Sequence, residues 1–249
     1  MNAIPLRAKR AIWLFIAYWL VQLGVGLVGG VGAGMYAAFT FSSAEAIDAF
    51  INDVALFPLT LAAILAAGAV VFAIVRSSFP GRIRDGAFAP MGWTPAPVAY
   101  AILAAILGGG LAFGYLNFGI VISPPSPTQD FGPIATAAAA ATAGDGITWA
   151  ALVWAAILLL AAPIEEFLFR GAMLTGFTRS FGTVAASVIV TVLFVGSHLF
   201  ETNFYYPAIL SIALMAVLTL IARLWTGSLV APICIHGAYN LVIVVEAFQ

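Results

Sequence analysis

Charge is what this sequence has least of. Among its 249 residues 63% are hydrophobic and 8% are charged, where a soluble globular chain carries about 25% charged residues. That scarcity excludes an ordinary water-facing surface and indicates an integral membrane protein. Cysteine is nearly missing as well: Cys234 is the one thiol, so no intramolecular disulfide can form. With a net charge of −1 there is no basic excess to attract nucleic acid. No clear small-x-small cleavage site follows the first apolar run, which far exceeds the roughly 7–15 residues of a signal-peptide core, so it reads as a retained span.

What is present is a succession of long apolar runs. They predict an all-α polytopic transmembrane helix bundle of about seven spans, over 12–40, 54–75, 98–122, 147–178, 183–200, 205–224 and 228–247. The first three and their loops form an N-terminal part, 1–146. The last four form a core, 147–249, within one membrane unit. Arg7, Lys9, Arg10, Arg76, Arg82, Arg84, Arg179 and Arg223 fall on one side of such a bundle. Glu45, Asp48, Asp53, Asp130, Asp145, Glu201 and Glu246 fall on the other, and Asp85 alone breaks the pattern. The positive-inside rule then places the N-terminus in the cytoplasm. Gly26, Gly30 and Gly34 make a small-xxx-small stripe, read as a helix-packing face. The Ala135 to Ala143 tract is compatible with a short helix. Pro163, Pro207 and Pro232 are placed to kink or start helices.

The stretch Pro163-Ile164-Glu165-Glu166-Phe167-Leu168-Phe169-Arg170 breaks the apolar pattern. A charge near the middle of a membrane helix costs roughly 2.5–3.5 kcal/mol on insertion scales, so three within six positions need a reason. Glu166 and Arg170 are i,i+4 and share a helix face, with the acid N-terminal to the base, as an ion pair prefers. Glu165 points about 100° away and has no counter-charge nearby in sequence. It is therefore the carboxylate left to exchange a proton, as a general base or acid must.

Only two histidines exist, His198 and His236, and both lie in apolar spans. His198 is i,i+4 from Phe194, and His236 is i,i+4 from Asn240. Counted inward from the cytoplasmic helix ends, Glu165, His198, His236 and Asn240 lie about 20, 22, 13 and 19 Å deep. Spans 4, 5 and 7 can thus line one polar cavity. Cys234 lies about 200° from His236 around the helix and reads as a small buried apolar residue.

In order and on successive spans, Glu165-Glu166-x-x-x-Arg170, Phe194-x-x-x-His198 and His236-x-x-x-Asn240 resemble the three motifs of the CPBP family. These are intramembrane proteases of the type II CAAX prenyl endopeptidase and bacteriocin-processing group. The resemblance covers about 147–245, and Gly92-Trp93 ahead of span 3 is similar to a family habit. It implies hydrolysis of a peptide bond in a membrane-associated protein or peptide. It implies that Glu165 activates water with help from His198, that His236 and Asn240 stabilise the oxyanion, and that Glu166, Arg170 and Phe194 support them. The family is often described as metalloproteases, and Glu165, His198 and His236 would be the ligands if zinc were bound. There is no His-Glu-x-x-His, and Asn is a poor zinc ligand, so the reading favours no cofactor. Two other functions are compatible with the residues: a proton-coupled carrier, and a family member acting as a scaffold or immunity factor without turnover. No internal repeat supports the carrier. The Ala- and Gly-rich composition suits a bacterial cytoplasmic membrane, where the prenyl label should not be transferred.

Overall fold

The computed structural model describes residues 6–79, 81–124 and 149–248. The expected loop acids Asp130 and Asp145 and the Ala135 to Ala143 tract lie outside the described residues. Among the described residues there are helices and turns and no strand. Seven helices carry the fold: α1 (Ala8–Thr40), α2 (Ala44–Ser78), α3 (Val98–Ile122), α4 (Trp149–Phe181), α5 (Thr183–Ser197), α6 (Tyr206–Thr226) and α7 (Val230–Ala247). All but α5 are long and apolar enough to cross a membrane. This is an integral membrane protein built as an all-α bundle. At about 1.5 Å per residue, α5 is roughly 22 Å long, short of a hydrocarbon core of about 30 Å.

Local chemistry sets the helix ends. Gly182 joins α4 to α5 at φ 83, a conformation a side chain resists. Pro207 opens α6 in the first turn, where its missing N–H costs nothing, and Gly227 closes it at φ 68 with its N–H on Arg223 O. Ser43 caps α2 by accepting from Ala46 N at 3.2 Å. Within α4, Pro163 leaves the carbonyl four residues back without its usual partner, and residues Phe167–Met173 then widen into a π turn. Span 4 was expected as one helix with Pro163 placed to kink it, without a π turn. The extra residue in that turn changes which side chains follow Glu166 onto the packed face.

The expected glycine face on α1 is corrected. A Cβ on Gly26, Gly30 or Gly34 would meet nothing within 4 Å, whereas one on Gly29 would strike Leu59 at 2.4 Å. The close crossing lies instead between α3 and α7, along the buried stripe Ala104, Gly108, Ala112. A Cβ on Gly108 would sit 2.0 Å from Ile235 O, backbone that cannot step aside. Gly108→Ala should therefore force α7 outward at the residue before His236. Overpacking of this kind costs typically about 1–3 kcal/mol. A lowered thermal midpoint in detergent is expected, with Gly110→Ala, which meets nothing within 4 Å, unchanged. Equal midpoints for the two variants would refute the crossing.

The structure also gathers the basic residues. Ala8 N donates to Ser180 Oγ at 2.9 Å, and Arg10 Nη2 donates to Ile74 O at 3.1 Å. The start of α1 and the ends of α2 and α4 therefore share one end of the bundle, with Arg7, Lys9, Arg10, Arg76 and Arg179. The α1–α2 turn and the start of α2, with Glu45 and Asp48, lie a helix length away. Cysteines placed at Ser42 and Ala89, in a Cys234→Ala background, should label from opposite faces of the membrane. Labelling from one face would refute the expected orientation.

Candidate active site

Pro163 begins the turn of α4 that carries both carboxylates, and the two take different environments. Glu166 is fully buried, with Oε1 3.3 Å from Arg170 Nη1. The same oxygen is 3.0 Å from His236 Nδ1 on α7. Arg170, also fully buried, donates through Nη2 to Ala216 O on α6 at 3.0 Å. Its guanidinium lies 4.2 Å from the centre of the Phe194 ring, a cation–π contact. The expected ion pair is present, and it ties α4 to α5, α6 and α7 together.

Glu165 faces the two histidines. Its Oε2 is 3.7 Å from His198 Nε2 and 4.0 Å from His236 Nε2. These separations exceed a hydrogen bond. The oxygen is buried and makes no hydrogen bond within the described residues. The histidine protons follow from the partners. Phe194 O can only accept, so His198 Nδ1, 2.8 Å away, carries hydrogen. Glu166, ionised against Arg170, likewise calls for hydrogen on His236 Nδ1. Both Nε2 atoms are thereby turned toward Glu165, with their lone pairs or an added proton.

His198 lies just beyond the regular helix that was expected to hold it. α5 ends at Ser197, and His198 caps it with its N–H on Val195 O at 3.1 Å. Thr202 then fastens the turn, its N–H and hydroxyl donating to His198 O at 3.1 and 3.0 Å. Asn203 and Phe204 follow at φ 46 and 56. Left-handed backbone is unfavourable for Phe, so packing and hydrogen bonds must hold this turn in place. Phe194 is the hub: its ring lies 4.7 Å from that of His198, 5.8 Å from His236 and 5.1 Å from Phe169. Here Phe194 is a packing surface that orients both imidazoles.

Asn240 is buried one turn from His236, and its Nδ2 donates to Leu158 O at 2.8 Å. One amide hydrogen is therefore taken by α4, in the turn loosened by Pro163, and one remains. Two residues escaped sequence reasoning. Glu201, expected at the outer loop, brings Oε2 to 3.9 Å from His198 Nε2 while staying half exposed. Tyr18, on α1, is 2% exposed and has Glu165 and Glu201 as its charged neighbours. Spacing from His198 could have suggested Glu201; nothing in the sequence pointed to Tyr18.

Residues 147–242 match the family model described as Type II CAAX prenyl endopeptidase Rce1-like. This part of the chain is similar to that family. No curated protein and no solved structure matches the chain. The Rce1-like part supplies Glu165, Glu166, Arg170, Phe194, His198, His236 and Asn240, and the family points to a membrane protease. Tyr18, on α1 and outside the matched residues, is buried within electrostatic range of Glu165 and Glu201.

A carboxylate and two imidazoles whose Nδ1 atoms are held from behind are zinc-like donors. As placed, however, Glu165, His198 and His236 do not enclose an ion: among the described residues no group of three His, Cys, Asp or Glu side chains is disposed to hold one. The donor types fit and their geometry does not.

Proposed function

We propose that the protein is an intramembrane endopeptidase that hydrolyses a peptide bond of a membrane-associated protein or peptide, with Glu165 as the base. The observation that carries this is the buried Glu165 Oε2, without a hydrogen bond among the described residues, facing the Nε2 atoms of two histidines from other parts of the bundle. In this reading one water oxygen bridges Glu165 and the two histidines. In the step, the water oxygen attacks the carbonyl carbon and its proton passes to Glu165. His198 Nε2 accepts from the second hydrogen and orients the water. The carbonyl oxygen becomes the oxyanion, and donors aimed at it lower the barrier. Those donors are His236, protonated at Nε2 while Nδ1 is held by Glu166, and the remaining amide hydrogen of Asn240. Collapse breaks the C–N bond, and the departing amine takes the proton from Glu165.

In this reading 147–249 carries the chemistry, 1–146 braces it, and the bilayer is that of a bacterial cytoplasmic membrane. The test is cleavage of a membrane-embedded peptide by purified protein in vesicles. His236→Ala and Asn240→Ala should each slow cleavage by about 10²–10³, as loss of one oxyanion donor does. No cleavage of any membrane peptide by folded protein would refute the proposal. Loss on exhaustive chelation with restoration by zinc would overturn the metal-free mechanism and make Glu165, His198 and His236 ligands.

A further inference from the structure

On the side of α4 away from Glu165 lies a cavity of about 220 Å³. Val71 and Phe88 form its floor, Ile164 and Phe167 its α4 wall, and Ile83 and Trp93 its rim. The floor residues are fully buried, and the rim residues are 36% and 49% exposed. Among the described residues no lining side chain carries a charge or a hydroxyl. A water there would lack the two to four polar partners it needs, so the cavity suits hydrocarbon.

The rim is basic. Ile83 stands between Arg82 and Arg84, both exposed. Asp85 is the one acid of this loop, 3.7 Å from Arg84 in a well-exposed pair that solvent weakens. Further positive charge is joined to the floor through rings. The Arg179 guanidinium is 5.8 Å from the Phe79 ring, which is 6.1 Å from Phe88. Arg76 donates to Phe79 O, and Arg10 reaches Ile74 O. An apolar slot with a cationic mouth at the end of a membrane bundle fits a molecule with an apolar chain and an anionic head.

We propose that this cavity binds an anionic phospholipid, with an acyl chain in the slot and the phosphate at Arg82 and Arg84. Ile164 directly precedes Glu165, so the chain abuts the turn that carries the carboxylates. Gly68 keeps the slot open: a Cβ there would lie 3.1 Å from Ile164 Cγ2.

The test is fluorescence quenching of the full chain in phosphatidylcholine vesicles. They hold a minor fraction of either phosphatidylglycerol or phosphatidylcholine with brominated acyl chains. The Trp93 contribution is the difference from Trp93→Phe. Brominated phosphatidylglycerol should quench Trp93 several-fold more than the same amount of brominated phosphatidylcholine. Arg82→Gln with Arg84→Gln, both at the surface, should abolish that preference, and Gly68→Leu should abolish the quenching itself. Equal quenching by both lipids would overturn the proposal. So would a preference that survives in the double variant, or full competition by glycerol phosphate, which has no chain. The readout needs no turnover, so it stands or falls apart from the proposed protease activity.

Discussion

Glu165→Gln is expected to give a folded protein that no longer cleaves peptide. Gln keeps the shape of the side chain and removes the basic oxygen. General-base catalysis contributes about 10²–10⁴ in rate, and that loss should fall on turnover while substrate binding persists. The structure also says what should happen to stability. Among the described residues no arginine or lysine pairs with Glu165, whose neighbours are histidine nitrogens at 3.7 and 4.0 Å. Removing a largely buried carboxylate whose described neighbours are imidazoles strands no arginine or lysine. The thermal midpoint should therefore hold or rise. Measuring cleavage and midpoint on the same preparation decides it. Turnover within about tenfold of the parent would move the base role elsewhere, with His198 the next group in reach.

Arg170→Met should act in the opposite way, on folding first. Arg170 and Glu166 are both fully buried, and Arg170 also holds Ala216 O and covers the Phe194 ring. Taking away one partner leaves Glu166 as a buried charge with only His236 beside it, at a cost of about 3–5 kcal/mol. Folded yield and thermal midpoint should both drop. Arg170 Nε and Nη1 and Glu166 Oε2 make no hydrogen bond within the described residues, so the pair is not fully satisfied. The double variant Glu166→Gln with Arg170→Met should therefore recover much of the lost stability, a coupling that a double-mutant cycle measures. An Arg170→Met protein as stable as the parent, yet inactive, would assign Arg170 to the chemistry instead of the scaffold.

Local spacing explains what could be read early. Hydropathy located the spans, because a bilayer requires long apolar helices and nothing subtler. The Glu166–Arg170 pair was legible because i,i+4 neighbours meet on any helix, and it survives into the π turn. Phe194 and His198, and His236 and Asn240, were legible as pairs for the same reason.

How those pairs face one another was not legible. That Glu166 Oε1 holds His236 Nδ1 depends on the rotation of α7 against α4, which Gly108 permits by letting α3 approach Ile235. The engagement of Asn240 with Leu158 O has the same origin. Gly26, Gly30 and Gly34 had the right spacing for a packed face, but spacing does not say which face meets a partner. Glu201 sits at His198 because α5 stops at Ser197 and the chain folds back through left-handed residues. Tyr18 arrives from a helix about 150 positions earlier in the chain. The periodic pattern along each helix thus settled the spans and the local pairs. Contacts across helices were decided only by tertiary packing, because a partial rotation of a helix or one extra residue in a turn redirects every side chain beyond it.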